Sequence, residues 1–284
     1  MQQPEFVLSI VCPDRRGIVA AVTRFLFERN CNILDSQQFG DRGNGRFFLR
    51  IHGLSEGGIG IGWLEKEFAA LAAEFAMQAQ FFDARQKTRT VILVSRFGHA
   101  LVDLLYRARI GAIPLEVPLI VSNHRDLEDV AAASRIPFVH LPVTPATKAE
   151  LETRLAVLLE EHKIDLVVLA RYMQILSGGF CQARAGRIIN IHHSFLPSFK
   201  GANPYTQAHD RGVKLIGATA HYVTGDLDEG PIIDQSVERV THAQGPDDYV
   251  AVGRDIENRV LARAVKWHCE HRILLNGRKT VVFS

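Results

Sequence analysis

The sequence lacks the features that mark membrane, secreted and nucleic-acid-binding proteins. No apolar run reaches the roughly 18 residues needed to cross a membrane. The start, MQQPEFVLSIVCPD, has neither the basic flank nor the long apolar stretch of a signal peptide. Lys and Arg outnumber Asp and Glu by only 33 to 31, so no positive excess draws the chain to nucleic acid or anionic lipid. We therefore expect a cytoplasmic protein with neither a nucleic-acid nor a membrane partner.

Cysteine is also scarce, and no metal-binding spacing is present. The chain has four widely separated cysteines without CxxC spacing, namely Cys12, Cys31, Cys181 and Cys269. A reducing compartment disfavours disulfides, so we expect four reduced thiols. The histidines form neither HxH nor HxxxH, and we expect no metal site and no cofactor.

The first part of the chain has the pattern of a small α/β domain. Hydrophobic residues are 47% and charged residues 23% of 284, as in folded globular proteins, and at roughly 150 residues per domain the length favours two domains. Residues 5–12 and 31–40 read as strands, and the segment between them has apolar residues at helical spacing: Ile18, Val22, Phe25 and Leu26. A break at 41–45, a strand RFFLRIHGL, a helix through Trp63, Leu64, Phe68 and Leu71, and a strand near 77–82 follow. The order βαββαβ predicts a ferredoxin-like domain over residues 1–84, with a linker at 85–89.

The second part, residues 90–284, alternates apolar strands with helices. Strands are predicted to begin near residues 91, 117, 138, 164 and 187, and such strands indicate a parallel sheet covered on both faces. KLIGATAHYV and PIIDQSVERV follow as neighbouring strands, and a closing helix contains Tyr249, Ile256, Val260, Ala264 and Trp267. The fold class is therefore α/β, with a doubly wound, mostly parallel sheet in the second domain.

Three segments at strand ends of this second domain are candidate site residues, because α/β sheets bind ligands beyond the carboxyl ends of their strands. Asn190 and His192 are two apart, so their side chains lie on one face, about 6.5 to 7 Å apart along the strand. Asp226, Asp228 and Glu229 follow another strand, and RYMQILS (171–177) follows a third. Position alone leaves three alternatives open: a structural hydrogen-bonded pair, a solvated turn and core packing.

Taken together, these segments resemble the folate-dependent formyltransferase family. The resemblance rests on Asn190-Ile191-His192, then Ser194, Leu196-Pro197 and Gly201, with an aspartate seven residues after His221. That spacing selects Asp228 and not Asp226. The resemblance covers roughly residues 89–284. It implies that Asn190, His192 and Asp228 are catalytic, and that Gly225 and the loop residues Arg171, Met173, Ile175 and Leu176 bind the folate.

Two features resemble the branch of that family whose members hydrolyse 10-formyltetrahydrofolate. His193 follows His192, and GANPY resembles the GAKPY of the deformylases, with Asn203 in place of the lysine. LSIVCPDRRGIVAAVTRFLFERNCNILDSQQF resembles an ACT domain, a small amino-acid-sensing module. The resemblance implies release of formate and tetrahydrofolate for one-carbon and purine metabolism. His193 is expected to bind substrate or hold water, although the next residue of a strand points to the opposite face and packing is the alternative.

Two other functions stay open at this point. The first is formyl transfer to an amine, although SRFGHALVD has only Gly98 where glycinamide ribonucleotide enzymes cradle a phosphate. The second is a non-catalytic protein that senses an amino acid or folate, against which the intact set of three catalytic residues argues.

The resemblance to ACT domains also implies a homo-oligomer with an amino-acid effector. The expected contacts are the turn Asp14 to Gly17, including Arg16, and Asn32 at the start of the second strand. The alternative is that Asp14 merely caps the helix and Asn32 merely satisfies a turn. Glycine and methionine are the first candidate effectors, because one-carbon units flow between them and folate.

Overall fold

The computed structural model describes residues 3–144, 147–196 and 204–284, and the chain divides into two compact units. The first contains residues up to 86 together with 270–276 and 281–284, and the second contains 87–269 and 277–280. The sequence pattern predicts that the two C-terminal segments belong to the second domain. The structure places them in the first unit, where Leu274 and Phe283 are buried against Phe48. Within the described residues, no helix is long and apolar enough to cross a membrane.

The first unit begins with the predicted βαββαβ order. Its elements are β1 (Glu5–Pro13), α1 (Ile18–Phe27), β2 (Cys31–Asp41), β3 (Arg46–Ser55), α2 (Ile61–Glu74) and β4 (Gln78–Asp83). The sheet order is β2-β3-β1-β4, with antiparallel pairing throughout. The apolar face of α1 is the predicted one, since Ile18, Val22, Phe25 and Leu26 are all buried. The apolar pattern predicted for α2 differs from the structure at Trp63, which is exposed, whereas Leu64 and Phe68 are buried in the core.

The second unit is the predicted doubly wound α/β domain. Its elements are β5 (Thr88–Val94), α3 (His99–Arg109), β6 (Leu115–Ser122), α4 (Glu128–Ala133), β7 (Phe138–His140), α5 (Lys148–Glu161), β8 (Leu166–Leu169), α6 (Gly178–Ala183), β9 (Ile188–His192), α7 (Pro204–Asp210), β10 (Leu215–Tyr222), β11 (Ile232–Arg239) and α8 (Pro246–Cys269). The sheet order is β11-β10-β9-β8-β5-β6-β7. The strands from β9 to β7 pair in parallel, whereas β10 is antiparallel to both of its neighbours.

The first strand of this sheet begins inside the segment expected to be a linker. β5 starts at Thr88, and Thr90 is fully buried. Polar groups near the start of β5 are hydrogen-bonded: the Asp165 carboxylate accepts from the Arg89 amide, and Thr90 Oγ1 donates to the Thr88 carbonyl. Hydrogen-bonded polar groups of this kind are compatible with a buried strand.

The chain ends in a hairpin that the sequence analysis did not predict. It consists of β12 (Ile273–Asn276) and β13 (Lys279–Val282). Gly277 has φ +63° at the turn. The Asn276-Gly277 dipeptide between two apolar runs is the signal that predicts such a turn.

Strand pairing in the second unit sets the candidate site residues side by side. Leu169 at the end of β8 pairs with Asn190 on β9, and His221 on β10 pairs with Asn190 from the other side. Three neighbouring strands therefore bring the loop after β8, the end of β9 and the loop after β10 to one place.

Candidate active site

The loops after β8 and β10 and the end of β9 enclose a cavity of about 240 Å³. The structure brings all nine predicted catalytic and substrate-binding residues to its lining: Arg171, Met173, Ile175, Leu176, Asn190, His192, His193, Gly225 and Asp228. Their individual roles stay predictions. Pro197, Gly201 and Asn203 lie outside the described residues.

His192 and Asp228 form a buried pair in this cavity. Nδ1 of His192 lies 3.4 Å from Oδ1 of Asp228, and the two side chains are 8% and 12% exposed. Nε2 of His192 is buried and has no hydrogen-bond partner among the described residues. Because an unpaired buried polar atom is costly, this nitrogen is suited to a partner that arrives with the substrate.

His221 also belongs to the site, although the sequence motif assigns it no role and only counts the aspartate from its position. Its Nδ1 lies 2.9 Å from the Tyr222 carbonyl oxygen, and its Nε2 lies 3.2 Å from Nδ2 of Asn190. Burial lowers the pKa of His221, so we assign the neutral form, with Nδ1 donating and Nε2 accepting. The Asn190 amide is thereby oriented, and its second N–H is available to a carbonyl oxygen.

The loop between β10 and β11 separates its three acids. Asp228 faces the histidines, with Oδ1 also 3.8 Å from Nε2 of His221. Asp226 is exposed, and Glu229 pairs with Arg278 at 3.6 Å. Asp228 has φ +57°, a left-handed conformation that aspartate tolerates better than most residues. At Gly230 the chain passes so close to β10 that a Cβ added to this glycine would lie 1.7 Å from the Tyr222 carbonyl oxygen.

The rest of the cavity lining is largely apolar. Met173, Ile175 and Leu227 are more than half exposed, whereas Leu176 is buried in the core. Ser95 Oγ accepts from the Met173 amide and donates to Asn123, which fixes the start of the loop. Exposed apolar side chains on a fixed loop form a surface for a flat ligand.

His193 lies beside a buried charged cluster that the sequence did not reveal. β9 ends at His192, so strand alternation does not decide where His193 points. Its ring centroid lies 5.3 Å from that of His192 and 6.2 Å from that of Tyr205. Glu257, which is 1% exposed, accepts from Tyr205 at 2.8 Å and lies 2.8 Å from Nε2 of His99. Arg171 Nε lies 3.6 Å from the same carboxylate.

The predicted effector contacts do not converge within one chain. Gly17, and not Asp14, is the N-cap of α1, with φ +92°. Asp14 lies beside Gly40, where an added Cβ would be 3.1 Å from its carboxylate. Asn32 pairs with Leu54 near the start of β2. The Phe39↔Phe48 pair, seven residues further along β2, is the one next to Gly40. The structure thus separates Asn32 from the turn that contains Asp14, Arg16 and Gly17.

Within the described residues, no group of three or more His, Cys, Asp or Glu side chains is arranged to hold a metal ion. All four cysteines are free thiols.

Comparisons with known proteins match both units. The formyl transferase profile matches residues 88–265, and the ACT domain profile matches residues 6–59. The formyltetrahydrofolate deformylase of Corynebacterium sp. (strain P-1) is 47% identical, over 99% of each chain. The crystal structure of the same enzyme from Burkholderia mallei ATCC 23344 has a TM-score of 0.95 at 47% identity, covering 99% of this chain and 100% of that one.

A more distant structural relative matches only part of the chain. Glycinamide ribonucleotide transformylase 1 from Symbiobacterium toebii has a TM-score of 0.65 at 32% identity, covering 70% of this chain and 95% of that one. The full-length matches, in contrast, include the N-terminal ACT domain. The chain therefore belongs to the formyl transferase family, among the formyltetrahydrofolate deformylases with an N-terminal ACT domain.

Proposed function

We propose that this chain hydrolyses 10-formyltetrahydrofolate to formate and tetrahydrofolate, which supplies formate and free folate to one-carbon and purine metabolism. The observation that carries the proposal is the arrangement of His192 in the cavity. Its Nδ1 faces Asp228, its buried Nε2 has no partner among the described residues, and Asn190 lines the same cavity. The full-length similarity to formyltetrahydrofolate deformylases supports the same reaction.

Asn190 and His192 stabilise the negative charge that develops on the formyl oxygen. Asn190 donates its second amide N–H, and a protonated His192 donates from Nε2, as a charge-assisted hydrogen bond. Loss of one such donor typically costs about 3 to 4 kcal/mol of the barrier. Both donors are held before substrate arrives, Asn190 by His221 and His192 by Asp228.

Asp228 supplies the negative charge that stabilises a protonated His192. Its carboxylate lies within 4 Å of both His192 and His221, and at such distances in a buried site the attraction is worth more than in water. It also orients or deprotonates the attacking water.

The apolar loop after β8 binds the folate ring system. Met173 and Ile175 offer exposed apolar surface, and the backbone from Arg171 to Leu176 offers hydrogen-bonding groups at the cavity wall. Gly225 also lines the cavity, and an added Cβ there would lie 3.4 Å from the Cα of Gly178.

Hydrolysis is favoured over transfer to an amine substrate that carries a phosphate. The turn after β5 has only Gly98, and an added Cβ there would meet Leu127 at 2.7 Å. Gly98 is therefore explained by close packing, without a phosphate cradle. Sensing without turnover would leave the donor pair of Asn190 and His192 without a role.

A formate assay tests this function directly. Purified protein is incubated with 10-formyltetrahydrofolate, and formate and tetrahydrofolate are measured with and without glycinamide ribonucleotide. We expect equal release of both products, unchanged by the amine. A burst of formylated amine would favour transfer, and folate binding without formate would favour a sensor.

We also propose that the ACT domain binds glycine or methionine and that the chain forms a homo-oligomer. The turn Asp14 to Gly17, with Arg16 exposed beside it, supports a carboxylate-binding role at the start of α1. Calorimetry of the intact protein with each amino acid tests the effector, and coupling of about 1 to 3 kcal/mol is typical. Light scattering tests assembly. The four free thiols support a reducing, cytoplasmic location.

A further inference from the structure

We propose that His193 is a further catalytic residue, which accepts a hydrogen bond from the water that attacks the formyl carbon, and that Tyr205 positions its ring. The inference rests on the proposed hydrolysis, in which Asn190 and His192 stabilise the formyl oxygen and Asp228 supplies negative charge to His192. It assigns deprotonation of the attacking water to His193 instead of Asp228.

The position of His193 fits a contact with the nucleophile. It lines the same cavity as the three other residues and is 7% exposed, and its ring lies 5.3 Å from that of His192 at an angle of 26°. With the formyl oxygen held by Asn190 and His192, the water attacks one face of the carbonyl group, about 3 to 3.5 Å from the carbon. Because His193 adjoins the donor His192 in the cavity, we place His193 beside that face.

The surroundings of His193 keep its imidazole neutral. Burial is the main cause that lowers its pKa to about 4, and the positive charges of Arg171 and His192 lower it further, against the opposing charges of Glu257 and Asp228. These groups come from the loop after β8, from β9, from α8 and from the loop after β10. A neutral ring has a nitrogen lone pair that accepts from water, whereas a protonated ring has none.

Tyr205 and α8 hold His193 in place. The ring centroids of Tyr205 and His193 are 6.2 Å apart. Tyr205 Oη donates to Glu257 at 2.8 Å, and its ring lies on Gly253, where an added Cβ would be 2.2 Å from Cζ. Gly253 and Glu257 are one helical turn apart, so both lie on the same side of α8.

The reaction step balances with this assignment. The water oxygen forms a bond to the formyl carbon, the water proton passes to His193, and the carbonyl electron pair moves to the oxygen held by Asn190 and His192. On collapse the bond from carbon to the folate nitrogen breaks, and that nitrogen takes the proton back from His193. Formic acid leaves and ionises. A protonated His193 is acidic in this environment, which favours return of the proton to a weakly basic N-aryl amine.

The test compares two nucleophiles, water and hydroxylamine, because hydroxylamine attacks carbonyls without a general base. For His193→Ala we expect hydrolysis to fall about 100-fold, the low end for loss of acid–base assistance. Tetrahydrofolate affinity and formylhydroxamate production should stay within about threefold of wild type. His192→Ala should lose both reactions. His271→Phe is the control, since it removes a half-buried histidine that lies outside the cavity.

Tyr205→Phe and Gly253→Ala should show the same split between the two nucleophiles as His193→Ala, to a smaller extent. A structural defect would instead lower both reactions and tetrahydrofolate binding together. If His193→Ala does not fold, His193→Gln carries the same comparison.

Two results would overturn the assignment. The first is a His193 variant that hydrolyses at the wild-type rate, and the second is an equal loss of both reactions in a variant that still binds tetrahydrofolate. Wild-type protein that releases no formate would instead contradict the proposed hydrolysis itself.

The pH dependence gives a second readout. Arg171→Gln removes a positive charge that lowers the pKa of His193, so that pKa rises and His193 becomes protonated at a higher pH. The acid limb of kcat/KM should therefore move to higher pH, and NMR titration of the His193 ring should show the same shift without substrate. An unmoved ring titration would contradict this electrostatic role.

Discussion

Gly230→Ala should disable catalysis through the backbone, although it adds only one methyl group. The new Cβ would lie 1.7 Å from the Tyr222 carbonyl oxygen, and real Cβ contacts are essentially never shorter than 3.0 Å. The loop or β10 must therefore move by more than about 1 Å. The same carbonyl oxygen contacts Nδ1 of His221 and so fixes the tautomer of this ring, and the moving loop carries Asp228. Overpacking of this kind costs roughly 1 to 3 kcal/mol of stability.

A displacement of about 1 Å at a reacting centre costs on the order of 100-fold in rate. We therefore expect kcat for formate release to fall about 100-fold, with a smaller change in KM, because the loop after β8 is untouched. Gly179→Ala is the matched control, since Gly179 is exposed in α6 with no atom within 4 Å of an added Cβ. It should be as active as wild type and slightly more stable. Gly230→Ala with wild-type kcat would refute the claim that this close approach places Asp228.

Three further predictions concern charged groups. Asp228→Ala, like Asn190→Ala and His192→Ala, should lose most formate release and keep folate binding. Asp226→Ala should have only a small effect on formate release. The reverse order for the two aspartates would mean that Asp228 is the wrong match to the catalytic aspartate of the family. Glu257→Gln should lower the free energy of unfolding in urea by about 3 to 5 kcal/mol, because it leaves Arg171 as a buried charge without its partner. The exposed control Glu238→Gln should lower it by less than about 1 kcal/mol. Equal losses would contradict the role of burial. Burial, together with the charge of Arg50, lowers the pKa of His271 to about 4 in the folded state. Between about pH 6.5 and 4 the unfolded chain therefore binds a proton at His271 that the folded chain does not. Stability falls as the pH falls through that range. His271→Phe should flatten this part of the stability curve, and an unchanged slope would contradict it.

The sequence predicted those features that depend on short-range patterns. The buried face of α1 follows from helical spacing, and the parallel sheet follows from apolar strands that alternate with helices. The resemblance of NIH and the spaced aspartate located Asn190, His192 and Asp228, and the structure brings them together.

Features that depend on pairing between distant elements were not predictable in this way. His221 meets Asn190 only because β10 runs antiparallel to β9 in one particular register. Glu257 joins the site from a helix far along the chain, as a partner for Arg171 and Tyr205. The C-terminal hairpin has a turn signal, but nothing in its spacing identifies Phe48 as its neighbour.

The place of the last residues in the first unit affects how the chain folds during synthesis. Phe48 leaves the ribosome early, whereas Leu274 and Phe283, which bury it, are among the last residues to be made. At roughly 5 to 20 residues per second, the intervening chain takes about 11 to 47 s to synthesise. Over that time one aromatic face of β3 stays exposed to solvent and to chaperones. A premature stop codon near the end of the gene would therefore damage the unit encoded at its beginning.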